Sequence, residues 1–232
     1  MFLDDFFIED ASGIHFTRQQ GSTFAKQVAD DFNPLHDEDA KRFCVPGDLL
    51  FSLVLHKYGI SQQMSFTFSG MVDESKHLCF PEQSEQVVIK DTAGKEYLTI
   101  QRSGELNNDS QLIGRLIKRY VKFSGQAFPH ILVPLMKEQG VMINPARPMV
   151  IYESMSINMQ TLNISDPALV LNKTTLTVKG KRGQVIFKFN LLENDKVVGS
   201  GTKHMVLSGL RDYDQAAIDH LIERYNSKKS AG

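Results

Sequence analysis

A carboxylate and an imidazole lie close together in residues 24–48, which read FAKQVADDFNPLHDEDAKRFCVPGD. Asp31 and His36 flank the dipeptide Asn33-Pro34. The residue before a proline avoids the α region, and proline has no N–H to donate, so the chain must change direction here. Such a turn lets two side chains meet at one point, which general acid–base chemistry on a small molecule requires. The spacing therefore favours Asp31 and His36 as a pair that acts on one molecule.

The element before the turn must hold Asp31 in place. Phe24, Val28 and Phe32 recur every four residues, which is the spacing of a helix face. Ser22 is the predicted N-cap of this helix, because its hydroxyl can accept a hydrogen bond from an orphan helix N–H. The helix is expected to stop at Asn33, directly before the proline.

A second helix follows the turn. Residues 48–58 predict a helix that Asp48 caps and Gly59 closes. Its apolar residues are Leu49, Leu50, Phe51, Leu53, Val54 and Leu55. They leave almost no polar face, so this helix should be buried on nearly all sides.

These residues resemble the motif of the MaoC-like R-specific enoyl-CoA hydratases. That family carries a Phe-Ala run, then Gly-Asp-x-Asn-Pro-Leu-His, then Val-His-Gly at the start of a central apolar helix. The corresponding residues here are Phe24-Ala25, Asp30-Asp31-Phe32-Asn33-Pro34-Leu35-His36 and Val45-Pro46-Gly47. The resemblance covers residues 24–68. Asp30 replaces the glycine of the motif, Pro46 replaces its second histidine, and the span between the two parts of the motif is shorter.

The resemblance implies a hot-dog fold and the addition of water to a 2-enoyl thioester of CoA or an acyl carrier. It implies that Asp31 and His36 handle one water molecule, and that Asn33 fixes the turn and contacts the site. The thioester carbonyl would lie at the N-terminus of the buried helix. There, the N–H groups of Gly47 and its neighbour favour developing negative charge. The implied class is a lyase.

The pattern along the chain predicts a helix followed by four strands, twice. The predicted strands cover residues 64–72, 86–91, 96–104 and 111–123, and then 149–161, 168–179, 183–193 and 196–207. Residues 125–140 predict the second apolar helix, and residues 211–229 a terminal amphipathic helix. We therefore predict an α+β double hot-dog, in which two curved antiparallel sheets joined edge to edge each wrap a central helix.

The predicted domain boundaries follow from this repeat. Residues 1–123 form a first hot-dog unit with the Asp/His turn, and residues 124–210 form a second unit without it. Residues 211–232 form a C-terminal helix and tail. Single hot-dog units commonly pair, and fusion would supply the partner internally. We therefore expect a monomer that is a pseudo-dimer, or a homodimer.

The composition excludes several classes of function. Lysine and arginine number 26 against 27 aspartates and glutamates, and both signs are spread along the chain, so electrostatic nucleic-acid binding is not expected. Cys44 and Cys79 are too few for a metal cluster or a disulfide framework, and no histidine has metal-ligand spacing. No apolar run approaches membrane-spanning length. We expect a cytoplasmic protein without metal, cofactor, nucleic acid or membrane.

Two hypotheses about function remain. The first is an enzyme, a hydratase or dehydratase of 2-enoyl thioesters. The second is a non-catalytic hot-dog module that binds an acyl thioester, or only assembles with other proteins, and has a degenerate site. Asp30 and Pro46, two of the three departures from the motif, favour the second hypothesis.

Overall fold

Ten strands form one antiparallel sheet in the computed structural model, which describes residues 2–231. The strands are β1 (Ile8–Asp10), β2 (Gly13–His15), β3 (Ile60–Phe68), β4 (Leu78–Cys79), β5 (Gln86–Asp91), β6 (Glu96–Asn107), β7 (Val141–Met142), β8 (Val150–Met159), β9 (Ala168–Lys179), β10 (Arg182–Glu193), β11 (Lys196–Ser208) and β12 (Arg211–Asp212). The helices are α1 (Arg18–Thr23), α2 (Gly47–Tyr58), α3 (Ser110–Gly125), α4 (Leu132–Glu138) and α5 (Gln215–Ala231). The predicted α+β class is confirmed.

The strand order of the large sheet is β1-β2-β4-β5-β6-β3-β8-β11-β10-β9, and β7 pairs separately with β12. Strands β3 and β8 meet in the middle of the sheet, where Phe66 lies opposite Met155. Outward from β3 come β6, β5 and β4, and outward from β8 come β11, β10 and β9. The two halves of the sheet therefore follow the same order from the centre to the edge.

Helix α2 is the buried helix that the sequence predicts. Leu49, Leu53 and Leu55 are all 0% exposed. The helix ends at Gly59, whose φ of 73° lies in the left-handed region that glycine adopts without strain. Asp48 is not the cap: the N-cap is Pro46, and Asp48 lies in the first turn with its side chain buried. Burial by other elements, described below, outweighs the capping preference.

The helix before the turn begins and ends earlier than predicted. Thr17 is its N-cap, and its side chain accepts a hydrogen bond from Gln20 N while the Gln20 side chain bonds back to the cap. Ser22, the predicted cap, is buried inside α1. The chain continues as a π-helical turn over Phe24–Val28 and leaves helical geometry before Asn33.

Helix α3 replaces a predicted strand. Residues 111–123 were expected to alternate, but Leu112, Leu116 and Tyr120 are buried at intervals of four, which is a helix face. The side chain of Asp109 caps the helix by accepting from Leu112 N. The predicted boundary between residues 123 and 124 therefore falls in the last turn of α3. Of the helix predicted over residues 125–140, only α4 is helical.

The main hydrophobic core runs across both halves of the chain. It joins α2 and α3 with residues of β8 and β10, such as Ile157 and Phe189. A second cluster packs α4 and α5 against β9, β10 and β11, with Phe187 and Ile218 at 0% exposure. The terminal helix predicted over residues 211–229 is α5, which begins at Gln215 and continues to Ala231; Gly232 lies outside the described residues. Among the described helices, none is long and apolar enough to cross a membrane.

Candidate active site

A pocket of about 280 Å³ lies between the Asp/His turn, the start of α2, the end of α3 and helix α5. We call it the acyl pocket after the ligand that the sequence resemblance predicts. Most of its wall is apolar, with contributions from Phe68, Leu132, Val150, Met205 and Leu221. The polar residues that line it are Asp31, Asn33, His36, Cys44, Asp48, Ser69, Ser124, Tyr152, Lys203, Arg224, Tyr225 and Lys228. Apolar walls with a few convergent polar groups are typical of small-molecule sites.

The structure brings Asp31 and His36 together. His36 Nε2 lies 3.6 Å from Asp31 Oδ2. His36 Nδ1 is 2.6 Å from the carbonyl oxygen of Cys44, and because a carbonyl can only accept, Nδ1 carries the proton of this hydrogen bond. In the neutral imidazole, Nε2 is then an acceptor that faces the acceptor Oδ2 of Asp31. A water molecule can donate one hydrogen to each of them, which is the arrangement a shared water requires.

The turn itself orients the carboxylate. Asp31 Oδ1 accepts a hydrogen bond from Asn33 N at 2.9 Å, which leaves Oδ2 for His36. Asn33 Oδ1 accepts from Leu35 N at 3.1 Å and caps the 3-10 turn Pro34–His36. Asn33 therefore stabilises the turn, and it also lines the acyl pocket.

Asp30 adopts a left-handed backbone conformation. Its φ is 55°, in the left-handed region where aspartate is one of the few tolerated side chains. Its carboxylate accepts from Lys229 Nζ at 2.6 Å and from Gln126 Nε2 at 3.2 Å. Its carbonyl oxygen accepts from the hydroxyl of Tyr225. Asp30 thus ties the turn to the C-cap residue of α3 and to α5.

Gly47 lies at the start of α2, beside the ring of Tyr152. A Cβ atom on Gly47 would lie 2.8 Å from Cδ1 of Tyr152, so the position requires glycine for close approach. The first N–H groups of a helix have no partner within the helix and carry the positive end of its dipole. Gly47 lines the acyl pocket, and Pro46 lines it beside Gly47.

A second polar cluster, formed by Asp48, Ser124 and Lys203, lies in the same pocket. Ser124 Oγ donates to Asp48 Oδ2 at 2.5 Å and accepts from Lys203 Nζ. The three residues are 6%, 3% and 4% exposed. The ammonium also lies 4.0 Å from the centre of the Tyr152 ring. The hydroxyl of Ser124 therefore bridges a buried carboxylate and a buried ammonium.

Burial controls the ionisation of this cluster. Desolvation raises the pKa of Asp48, and the nearby charge of Lys203 and the hydrogen bond from Ser124 oppose this rise. Desolvation likewise lowers the pKa of Lys203, and Asp48 and Asp31 oppose it. Asp48 Oδ1 is buried and has no hydrogen-bond partner among the described residues. The cluster is thus electrostatically coupled to the Asp31/His36 pair.

Sequence reasoning missed this cluster because its members come from α2, α3 and β11. One signal was present in the strand pattern: Lys203 shares the inward phase of β11 with Gly201 and Met205, which are buried. A charged residue at an inward position of an alternating strand requires a partner in the interior. A second signal was Asp48, the one acidic residue of a helix whose basic residues, His56 and Lys57, lie in its last turn.

The described residues also contain one group that could hold a metal ion. The ligand atoms of Asp10, His15 and His77 lie within 4.8 Å of one another, at the sheet edge near β1, β2 and β4. Ser12 Oγ already bonds Asp10 Oδ1 and His77 Nδ1. Spacing in the sequence could not reveal this group, because strand pairing alone brings His77 to the other two. It lies outside the residues that line the acyl pocket.

Comparisons with known proteins identify a family but no activity. The family model described as "Protein of unknown function (DUF3581)" matches residues 1–216. No curated protein matches the chain.

Several solved structures are similar in outline. The tesB protein of Mycobacterium avium subspecies paratuberculosis has a TM-score of 0.43 at 6% identity, covering 71% of this chain and 87% of that one. A putative oleoyl thioesterase from Lactobacillus plantarum has a TM-score of 0.38 at 9% identity, covering 86% of this chain and 90% of that one. The full-length peroxisomal multifunctional enzyme type 2 of Drosophila melanogaster has a TM-score of 0.42 at 11% identity, covering 82% of this chain and 47% of that one. Likenesses this weak leave the function to be argued from the site itself.

Proposed function

The chain belongs to the family described as protein of unknown function (DUF3581), and we propose from its site that it adds water to 2-enoyl thioesters. One observation carries the proposal: Asp31 Oδ2 and His36 Nε2 face each other, 3.6 Å apart, on the wall of an apolar pocket. A paired carboxylate and imidazole there suit general acid–base chemistry on a bound apolar chain. The carrier of the acyl group is CoA or an acyl carrier.

The hydration step uses the water held between the pair. The water oxygen bonds to the β-carbon of the enoyl group, and one member of the pair accepts the proton that this water loses. The same pair then gives a proton to the α-carbon as the enolate collapses, so a hydroxyl and a hydrogen have been added across the double bond and both side chains return to their starting protonation. The hydrogen bond from His36 Nδ1 to Cys44 O keeps Nε2 available as the acceptor.

The developing enolate oxygen needs positive charge beside it. The N–H groups of Gly47 and Asp48 at the start of α2 supply it. The carboxylate of Asp48 would by itself repel an enolate. Ser124 and Lys203 counter this effect, because the hydroxyl binds the carboxylate and the ammonium compensates its charge.

The fold that supports this proposal is a double hot-dog of the MaoC-like type. The two halves of the sheet follow the same strand order from β3 and β8 outward, as two joined units would. Helix α2 is buried against the first half, as the central helix of such a unit would be. The motif residues of the first unit, Asp31, Asn33 and His36, line one pocket.

The second candidate function is an acyl-thioester-binding module without catalysis. Pro46 favours it, because the histidine of the motif is replaced by a residue that offers no proton at the pocket. In that case the pocket would retain its shape, and Asp31 and His36 would affect only the affinity for the thioester.

The experiment is a hydration assay across enoyl-CoA chain lengths, followed by the loss of enoyl absorbance. Asp31→Asn and His36→Ala should each lower the rate by at least ~10²-fold, the scale for losing a general acid–base group. Matched controls are Asp212→Asn and His130→Ala, which change exposed residues outside the pocket. Rates equal to wild type in both site variants, or binding without any hydration, would contradict the proposal.

A further inference from the structure

A second concavity opens beside the acyl pocket. Its volume is about 1210 Å³. The two concavities share Pro34, Leu35, Pro148, Arg224 and Lys228, so they adjoin each other along these residues. We call the second one the basic groove. A ligand whose acyl end lies in the acyl pocket would extend past the Pro34–His36 turn into this groove.

The groove has an excess of positive charge. Its cationic residues are Lys26, Lys41, Arg42, Arg147, Arg224 and Lys228. Its acidic residues are Asp37, Glu38 and Asp39. The excess is three positive charges, whereas the whole chain has a formal net charge of -1. The positive charge is therefore concentrated here and does not reflect the general composition of the surface.

Most of these cations are available to a ligand. Asp37 is already neutralised, because it lies 3.3 Å from Lys26 and also contacts Lys228. Across residues 2–231, Lys41, Arg42, Arg147 and Arg224 make no ion pair with an acidic side chain. All four are exposed. Free guanidinium groups around a concavity suit phosphate, which arginine binds through two parallel hydrogen bonds.

We propose that the basic groove binds the diphosphate and the 3′-phosphate of coenzyme A, so that CoA is the carrier of the acyl group. This inference rests on the proposed function for the acyl pocket. The pantetheine arm would pass between the Pro34–His36 turn and Pro148, which border both concavities. A concave, cation-lined groove can enclose the phosphates of a nucleotide on several sides.

The test measures affinity for three thioesters that cannot be hydrated: butyryl-CoA, butyryl-dephospho-CoA and S-butyryl-pantetheine. Titration calorimetry should give the tightest binding for butyryl-CoA, weaker binding for the dephospho form, and at least ~10-fold weaker binding for the pantetheine thioester. This scale corresponds to the loss of a charge-assisted hydrogen bond. Added salt should weaken the binding of butyryl-CoA and leave that of S-butyryl-pantetheine nearly constant.

Variants assign the effect to the groove. Arg42→Ala and Arg147→Ala should each weaken the binding of butyryl-CoA several-fold. The affinity for S-butyryl-pantetheine should change by less than ~2-fold, because only butyryl-CoA has phosphates that the arginines can bind. Lys173→Ala, an exposed cation on β9 outside both concavities, is the matched control and should change neither.

Three outcomes are distinguishable. Equal affinity for butyryl-CoA and S-butyryl-pantetheine would overturn the proposal. So would arginine variants that weaken a butyrylated acyl carrier protein but not butyryl-CoA, since the groove would then dock a protein. If butyryl-CoA binds through the arginines while no enoyl thioester is hydrated, the groove assignment stands and the hydratase proposal fails.

Discussion

Replacement of Lys203 by methionine tests whether the pocket contains a buried ion pair bridged by a hydroxyl. The ammonium of Lys203 donates to Ser124 Oγ, which donates to Asp48 Oδ2. Methionine fills similar space without charge, so the variant leaves the buried carboxylate without a counter-ion. Removing one partner of a buried pair costs about 3–5 kcal/mol. We expect the free energy of unfolding of Lys203→Met to fall by that amount near neutral pH.

The pH dependence of this loss has a defined sign. Burial already raises the pKa of Asp48, and the charge of Lys203 opposes that rise. Without Lys203 the folded-state pKa rises further above that of an unfolded aspartate, so the native variant binds the proton more tightly. The loss of stability should be complete above the raised pKa. It should diminish as the pH falls towards the ordinary pKa of aspartate.

The assay is urea unfolding, followed by circular dichroism at several pH values, of wild type, Lys203→Met, Asp48→Asn and the double variant. The double variant should recover much of the stability, because no unpaired charge stays buried. Lys188→Met, an exposed lysine on β10, is the control and should change stability little. A loss below ~1 kcal/mol, or one that is additive with Asp48→Asn, would refute the buried pair.

Three further outcomes follow from single positions. Gly47→Ala should lower the hydration rate by about 10²-fold in steady-state kinetics, because its Cβ would lie 2.8 Å from Cδ1 of Tyr152 and displace the start of α2; an unchanged rate would contradict this. Burial raises the pKa of the Cys44 thiol to about 12. Iodoacetamide should therefore label the exposed Cys79 and leave Cys44 unmodified in the native protein, and peptide mapping measures both. Leu53→Ala should lower the free energy of unfolding by about 2–5 kcal/mol in urea titrations, since Leu53 is 0% exposed; a change below ~1 kcal/mol would contradict its central place in the core.

Local physics made part of the fold predictable. Helix α2 could be recognised because its apolar residues leave no polar face, and Gly59 marks its end. Strand β5 was predicted at its observed bounds, Gln86–Asp91, because the turn that follows it contains residues typical of turns. Helix α3 was mistaken for a strand because its buried residues come in adjacent pairs, which hides the four-residue interval in a short window.

The difference between local and long-range contacts also separates the two parts of the site. Asp31 and His36 lie within one turn, so the proline and its neighbours determine where they meet. Asp48, Ser124 and Lys203 meet because α2, α3 and β11 pack together, and no local pattern encodes that contact. Long-range packing of this kind had to be seen in the structure.

The fate of the oxygen atom of water tests the central claim most directly. A short 2-enoyl-CoA is incubated with the protein in water labelled with a heavy oxygen isotope. The products are then separated, and their masses are measured by mass spectrometry. Hydration at Asp31 and His36 predicts the label in the β-hydroxyl of an intact 3-hydroxyacyl-CoA, and loss of that product in Asp31→Asn. No labelled hydroxyacyl thioester at any chain length, or label only in the carboxylate of a released acid, would contradict the account.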